Sequence, residues 1–272
     1  MIEKKYRILN KIFRLSVEDA EIIPTCFERF ECSYEAQADV VFVSDREDDA
    51  HCCYGLRYLS GNGAKINNVF FSQKDRKQML YSFADDYSEL RLQLDSECEK
   101  DIFSELAVVG FYSYASLRDA LLMHASAVCV NDKAIVFTAA SGVGKTTQAE
   151  LWQKYRNATV INGDKVFLTK EAEKIVAWGS PWNGSSPYAE NIGAEAAAII
   201  VLEQAEENSI RKLQGMEMLQ KLLPHVFFPN WDAKCERAVF GLLDALLERT
   251  DVYLLSCRPD EDAVALVEKT VF

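Results

Sequence analysis

The chain lacks most of what would send it into a membrane, out of the cell or onto a nucleic acid. No run approaches the roughly 20 apolar residues that a membrane helix needs, and no membrane partner is expected. Met1-Ile-Glu-Lys-Lys-Tyr-Arg7 leads into no apolar signal core, which predicts a cytoplasmic protein. A basic face is missing too. Lys and Arg number 30 against 42 Asp and Glu, and the net charge of −12 argues against a nucleic-acid partner, because neutralising phosphates requires clustered cations. That charge favours solubility and is compatible with a basic or neutral polypeptide substrate. The only histidines are His51, His124 and His225, and none of the eight cysteines forms a C-x-x-C pair. Neither a zinc site nor a disulfide framework is indicated, and the cysteines read as reduced thiols. Vicinal Cys52-Cys53 is the one candidate redox or metal feature. Internal repeats and low-complexity tracts are also lacking.

What is present is a folded α/β chain of 272 residues, with room for two domains. Residues 1–100 read as a β-rich N-terminal domain, either a packing module or a substrate-docking one. Tyr6 to Leu15 alternates as a strand and Ala38 to Val43 as a second. Tyr54–Leu59 and Ile66–Phe71 flank the hairpin turn Gly61-Asn62-Gly63, and a further strand or pair lies between Gln78 and Leu94. The acidic stretch Asp95 to Asp101 marks the boundary. Residues 101–272 then form the nucleotide-binding catalytic domain. It opens on one or two helices through Phe103, Leu106, Phe111, Leu117 and Leu121, followed by a hairpin from Ala125 to Thr138 about Asn131-Asp132-Lys133. Later strands are expected at Ala158–Ile161, Val166–Thr169, Ile175–Trp178, Ala196–Glu203 and Val252–Ser256. Helices are expected near 215–223, 233–248 and from Asp260.

The most informative stretch runs from Ala134 to Trp152. An apolar strand (Ile135, Val136, Phe137) stops at Ala139-Ala140-Ser141-Gly142-Val143-Gly144, and Lys145-Thr146-Thr147 then opens a helix. Small residues let backbone N–H groups curl around an anion, and the helix start adds free donors and the positive end of its dipole. Ala140 through Thr147 are therefore the expected nucleotide contacts. Lys145 would reach the β- and γ-phosphates of ATP and the Thr146 hydroxyl would ligate Mg²⁺. Ala139 departs from G-x-x-x-x-G-K-[ST] at its first position.

Phosphoryl transfer also needs an acidic group and a means of orienting the nucleophile. Asp164 stands 19 residues beyond Lys145, at the end of a strand, and is assigned to Mg²⁺ or to the base role. Glu203, ending Ala198-Ile-Ile-Val-Leu202, is the competing acid and would suit an ATPase switch. The expected hairpin returns His124 to the edge that bears the phosphate loop, where it would orient or deprotonate a hydroxyl unless it is a structural histidine. The loop Trp178 to Asn191 offers Ser185, Ser186 and Glu190 as substrate or second-acid contacts, and Arg258 is a candidate phosphate contact.

His124-Ala-Ser-Ala-Val128, Ala140 to Thr146, the strand ending at Asp164 and Cys257-Arg-Pro-Asp260 together resemble the catalytic domain of bacterial HPr kinase/phosphorylase. That fold is related to ATP-dependent phosphoenolpyruvate carboxykinase. The resemblance covers about residues 115–272. The His-Ala-Ser, Asn-Gly-Asp and Gly-Ser-Pro-Trp pieces look closest to HPr-kinase-like proteins found beside ribosomally made peptide gene clusters, lasso peptides among them. It implies a mixed α/β P-loop fold and an ATP- and Mg²⁺-dependent kinase acting on a serine or threonine hydroxyl of a peptide or small protein. It also implies His124 near the reacting centre and self-association into a homo-oligomer. One departure matters. The family carries two consecutive aspartates where this chain has Gly163-Asp164. Either Asp164 does both jobs, or His124 or Glu190 substitutes, or nucleotide is bound without efficient transfer. A small hydroxylated metabolite as acceptor, or a non-catalytic nucleotide-binding regulator, are the alternatives.

Overall fold

In the computed structural model, which describes residues 1–33, 37–46, 69–74, 77–94 and 100–272, the chain forms two compact units. One comprises Met1–Arg118 with Phe228–Val239, the other Asp119–Phe227 with Phe240–Phe272. The expected boundary near residue 100 differs from this division, because the helix after it packs into the first unit. The Gly61-Asn62-Gly63 hairpin, Cys52-Cys53 and residues 95–99 lie outside the described residues. Both units are mixed α/β with mixed sheets. Among the described residues no helix is long and apolar enough to cross a membrane.

The first unit carries strands β1 (Ile2–Ile8), β2 (Lys11–Val17), β3 (Val40–Arg46), β4 (Val69–Lys74), β5 (Lys77–Phe83) and β6 (Glu89–Leu94), in the order β1-β2-β3-β6-β5-β4. The run Tyr6 to Leu15, expected as one strand, is instead a two-strand hairpin. Leu9 and Asn10 both take positive φ, 53° and 58°, as a two-residue turn between antiparallel strands requires. Helix α1 (Lys100–Ser116) places Phe103, Ala107, Phe111 and Tyr114 on one buried stripe, and Phe111 meets Phe13 edge-on with ring centroids 5.4 Å apart. The returning segment is fastened by polar contacts. Trp231 Nε1 donates to Ser113 Oγ at 3.0 Å and Tyr87 Oη to Asp232 Oδ2 at 2.8 Å.

The second unit is built on the hairpin of β7 (Ala120–Val130) and β8 (Lys133–Thr138), turned at Asn131 and Asp132. Leu121, expected in a helix, belongs to β7, whose first residues are a continuous apolar run as in a strand buried on both faces. Helix α2 (Lys145–Arg156) comes after the phosphate loop. Then come β9 (Thr159–Asn162), β10 (Lys165–Glu171), β11 (Lys174–Trp178), β12 (Gly193–Gln204) and the short β13 (Ser209–Lys212). Helices α3 (Gly215–Leu222) and α4 (Ala233–Arg249), whose residues up to Val239 belong to the first unit, strand β14 (Asp251–Cys257) and helix α5 (Glu261–Val271) complete the chain.

Strand β8 lies antiparallel to β7 and parallel to β12, and β12 is parallel to β14. The order is β11-β10-β7-β8-β12-β14-β13, with β9 paired to β7 and β11 also joined to β12. Strands β7, β8, β12, β11 and β10 thus close a ring of pairings. The apolar face of α2 (Ala149, Trp152) sinks into a core of Val128, Ile135, Phe137, Ala198, Ile200, Leu255 and Val264. Phe137 and Trp152 bury fully there, which holds the start of α2 against the end of β8.

Candidate nucleotide and phosphoryl-transfer site

The loop between β8 and α2 has the backbone of an anion nest. Gly142 and Gly144 stand at φ of 80° and 124°, a region closed to side-chain-bearing residues at ordinary cost. Gly144 occupies the N-cap position of α2, and among the described residues no side chain caps it, which leaves first-turn amides available to an anion. Lys145 is 7% exposed. Among the described residues its Nζ bonds only to carbonyls, Ala139 O at 3.1 Å and Ala140 O at 3.5 Å. Burial pulls its pKa down while the nearby Asp164 carboxylate pushes it up. A buried ammonium without a bonded counter-charge is costly, and an anion in the nest supplies one. Ala139 is buried and offers its carbonyl to Lys145, so the loop needs no glycine there.

Facing the loop, β7 and the β9–β10 corner bring an imidazole, a carboxylate and an ammonium together. His124 Nε2 lies 3.1 Å from Asp164 Oδ1, and Lys165 Nζ lies 2.6 Å from Asp164 Oδ2. Burial raises the Asp164 pKa, but the bonds from His124 and Lys165 outweigh it and hold the carboxyl well below the usual carboxylate range. Asn162 is fully buried. Its Oδ1 accepts from the amides of Asp164 and Lys165, both at 2.8 Å, and its Nδ2 donates to Ser180 O at 2.8 Å. The corner that carries Asp164 is therefore fixed from inside the fold. Thr146 Oγ1 donates to Gly163 O at 3.3 Å, which places the loop hydroxyl beside the same corner. Thr138 Oγ1 donates to His124 O at 2.9 Å, and Ser126 Oγ to Lys145 O at 2.7 Å. These two bonds tie β7 to the loop at both ends.

The segment 179–191 closes over this corner. Gly163 N donates to Tyr188 O at 3.3 Å and Glu190 N to Ile161 O at 2.8 Å. Ser186 packs so closely that a Cβ on Gly163 would sit 1.9 Å from its Oγ. Ser185 is exposed, and Glu190 enters the site region through its backbone pairing with Ile161.

On the opposite flank a cavity of about 430 Å³ is lined by Gly142 to Gly144, Thr147, Gln148, Leu202 to Ala205 and Cys257 to Pro259. This is a small-molecule size, within roughly 300–1,000 Å³. Gln204 Nε2 steadies its rim by donating to Val143 O at 3.2 Å. Arg258 lines it while its Nε holds Asp260 Oδ2 at 3.0 Å. Glu203 lies on this flank too and is paired with Lys221. Of the expected residues, His124, Lys145, Thr146 and Asp164 converge, Thr147 and Arg258 face the other side, and Ser185 stands apart in the loop. Ser126, Asn162, Lys165 and His225 join the site without being expected from the sequence. Ser126 and Asn162 stand within its short motifs, where only their adjacency to His124 and Asp164 hints at a role.

A Mg²⁺ ion keeps several waters and takes one or two carboxylates plus phosphate oxygens. A single carboxylate with one hydroxyl therefore fits it, and among the described residues no trio of His, Cys, Asp or Glu is grouped to hold a metal without a substrate.

No protein-family model matches the sequence, and no curated protein does. Among solved structures the chain is similar to the Hpr(Ser) kinase/phosphatase from Coxiella burnetii, at 11% identity with a TM-score of 0.34. The similarity spans 55% of this chain and 95% of that one. At that level it stands as a similarity alone, and any functional reading rests on the residues of the site.

Proposed function

We propose that the chain is an ATP-dependent kinase that transfers the γ-phosphoryl group to a serine or threonine hydroxyl of a peptide or small protein. The observation that carries this reading is the buried Lys145 ammonium, held by carbonyls alone within the nest and facing the His124–Asp164 pair. The nest amides and Lys145 would bind the β- and γ-phosphates, and the nucleoside would lie in the cavity beside Leu202 and Cys257. Thr146 and Asp164 would hold Mg²⁺, which would neutralise charge on the transferring group. The acceptor oxygen attacks the γ-phosphorus as the bond to the β-phosphate oxygen breaks, and the hydroxyl proton passes to His124. Asp164 orients that imidazole and is too weak a base to take the proton itself. This ordering suits a chain with one aspartate at the corner instead of two.

The test is transfer of label from γ-labelled ATP to serine-containing peptides. Lys145→Ala should lower the rate by about a thousandfold, the scale of losing a principal charge-stabilising group. Binding of Mg·ATP without transfer to any acceptor would favour the regulatory alternative.

A further inference from the structure

The last turn before the 228–239 segment brings an unused imidazole to the phosphate loop. Leu223 to His225 form a single 3₁₀ turn after α3. Val226 then bridges Met123 in antiparallel fashion, and Phe227 N donates to Leu122 O at 2.9 Å. His225 stands one residue before that bridge and His124 one residue after Met123, so in an antiparallel crossing both lie on the same side of it, near each other. The Phe227 ring confirms the side, lying with its centroid 6.4 Å from that of His124. Burial first, then Lys145 from α2 and His124 from β7, press the His225 pKa down. Asp164 and Lys165, from the β9–β10 corner, are bonded to each other, and Asp164 also to His124.

His225 is half-buried, and among the described residues its ring nitrogens have no hydrogen-bond partner, whereas Nε2 of His124 is committed to Asp164. No trio of metal-ligating side chains forms there among the described residues. Two imidazoles beside a lysine suit an anion better than a cation. We propose that His225 completes the phosphate site by donating a ring N–H to the terminal phosphoryl group of the bound nucleotide. This rests on the nucleotide reading above and extends it to a residue outside the loop.

Calorimetry on the full chain with Mg²⁺ and either ADP or a non-hydrolysable ATP analogue tests it. His225→Ala should weaken the triphosphate about tenfold, the scale of one charge-assisted hydrogen bond, and the diphosphate less than about twofold. His225→Gln should recover part of the loss, and it carries the comparison if the alanine variant unfolds. With only three histidines in the chain, the His225 ring is assignable by NMR, and its pKa should rise when the triphosphate analogue saturates the protein. Equal losses for both nucleotides, or an unmoved His225 titration at saturation, would overturn the role of His225 and leave nucleotide binding standing. Absence of heat with either nucleotide in the unaltered chain would overturn both.

Discussion

The two flanks of the phosphate loop differ in how their polar groups are occupied. On the His124 flank almost every charge is already paired. Asp164 holds His124 and Lys165, and Asn162 fixes the corner from behind. On the cavity flank the walls include Leu202, Cys257 and Pro259 together with the buried Gln148, and 430 Å³ stands open. A site that must hold charges at fixed positions through a reaction gains from preorganised partners. One that must admit and release a planar, mostly neutral group gains from shape and apolar wall. Under the proposed kinase reading, the contrast would put chemistry on the first flank and recognition on the second.

The largest effect that would break this contrast is expected at Asp164. Asp164→Asn should cut transfer by about a hundredfold, in the range of losing proton-transfer assistance, while Mg-free nucleotide binding changes little. The same variant tests the charge. A carboxyl whose folded pKa is depressed contributes stability that is complete above its unfolded value, about 3.9, and is lost as pH falls through the folded one. In metal-free buffer the unaltered chain should therefore lose thermal stability below about pH 4 more steeply than Asp164→Asn. Equal acid profiles would remove the case for a strongly paired carboxylate.

Gly163→Asp comes next. It would create two consecutive aspartates at the corner, yet the Cβ would meet Ser186 Oγ at 1.9 Å. Overpacking of this kind costs about 1–3 kcal/mol, so a lower melting temperature and reduced transfer are expected in place of a gain. A more active variant would show that the segment 179–191 can give way.

Leu202→Trp sharpens the other side. Filling the cavity should weaken Mg·ATP about tenfold, of the order of a misfitted group in a pocket, and leave inorganic tripolyphosphate binding unchanged. If both ligands weaken alike, the cavity and the nest are one site in energetic terms. The smallest effect belongs to Glu203→Gln. Its pair with Lys221 is part-exposed, with Glu203 42% and Lys221 36% accessible, so stability should move by less than about 1 kcal/mol. Transfer should stay within about twofold, and a collapse of ATP turnover would instead make Glu203 the acid of a hydrolysing switch.

Much of the second unit is legible in the sequence because its signals are local. A run of Ile135, Val136 and Phe137 before glycines and a lysine fixes strand, nest and helix within about 20 residues, and Asn131-Asp132 announces the hairpin that carries His124 back to the loop. Where the sequence misleads, the competing signal is equally local. Leu9 and Asn10 take a left-handed turn without glycine, so the alternation of Tyr6 to Leu15 reads straight through it. Leu117 and Leu121 fit a helical spacing, but β7 already begins at Ala120. Strand β13, four mostly exposed residues, gives no periodicity to detect. His225 is out of reach for a different reason. It lies 80 residues beyond Lys145 on a Leu-Pro-His turn, and only the register of Val226 on Met123 brings the two near each other.

Strand β7 is bonded along both sides, to β9 and β10 on one and to β8 and Val226 on the other. Of its residues from Ala120 to Val128, His124 alone is not fully enclosed. An imidazole mounted on so doubly clasped a strand cannot swing out to greet an acceptor, so amide deuteration should reach it last. Under the proposed kinase reading, any gating would come from what lies over it, and the hydroxyl would be delivered to a fixed anvil.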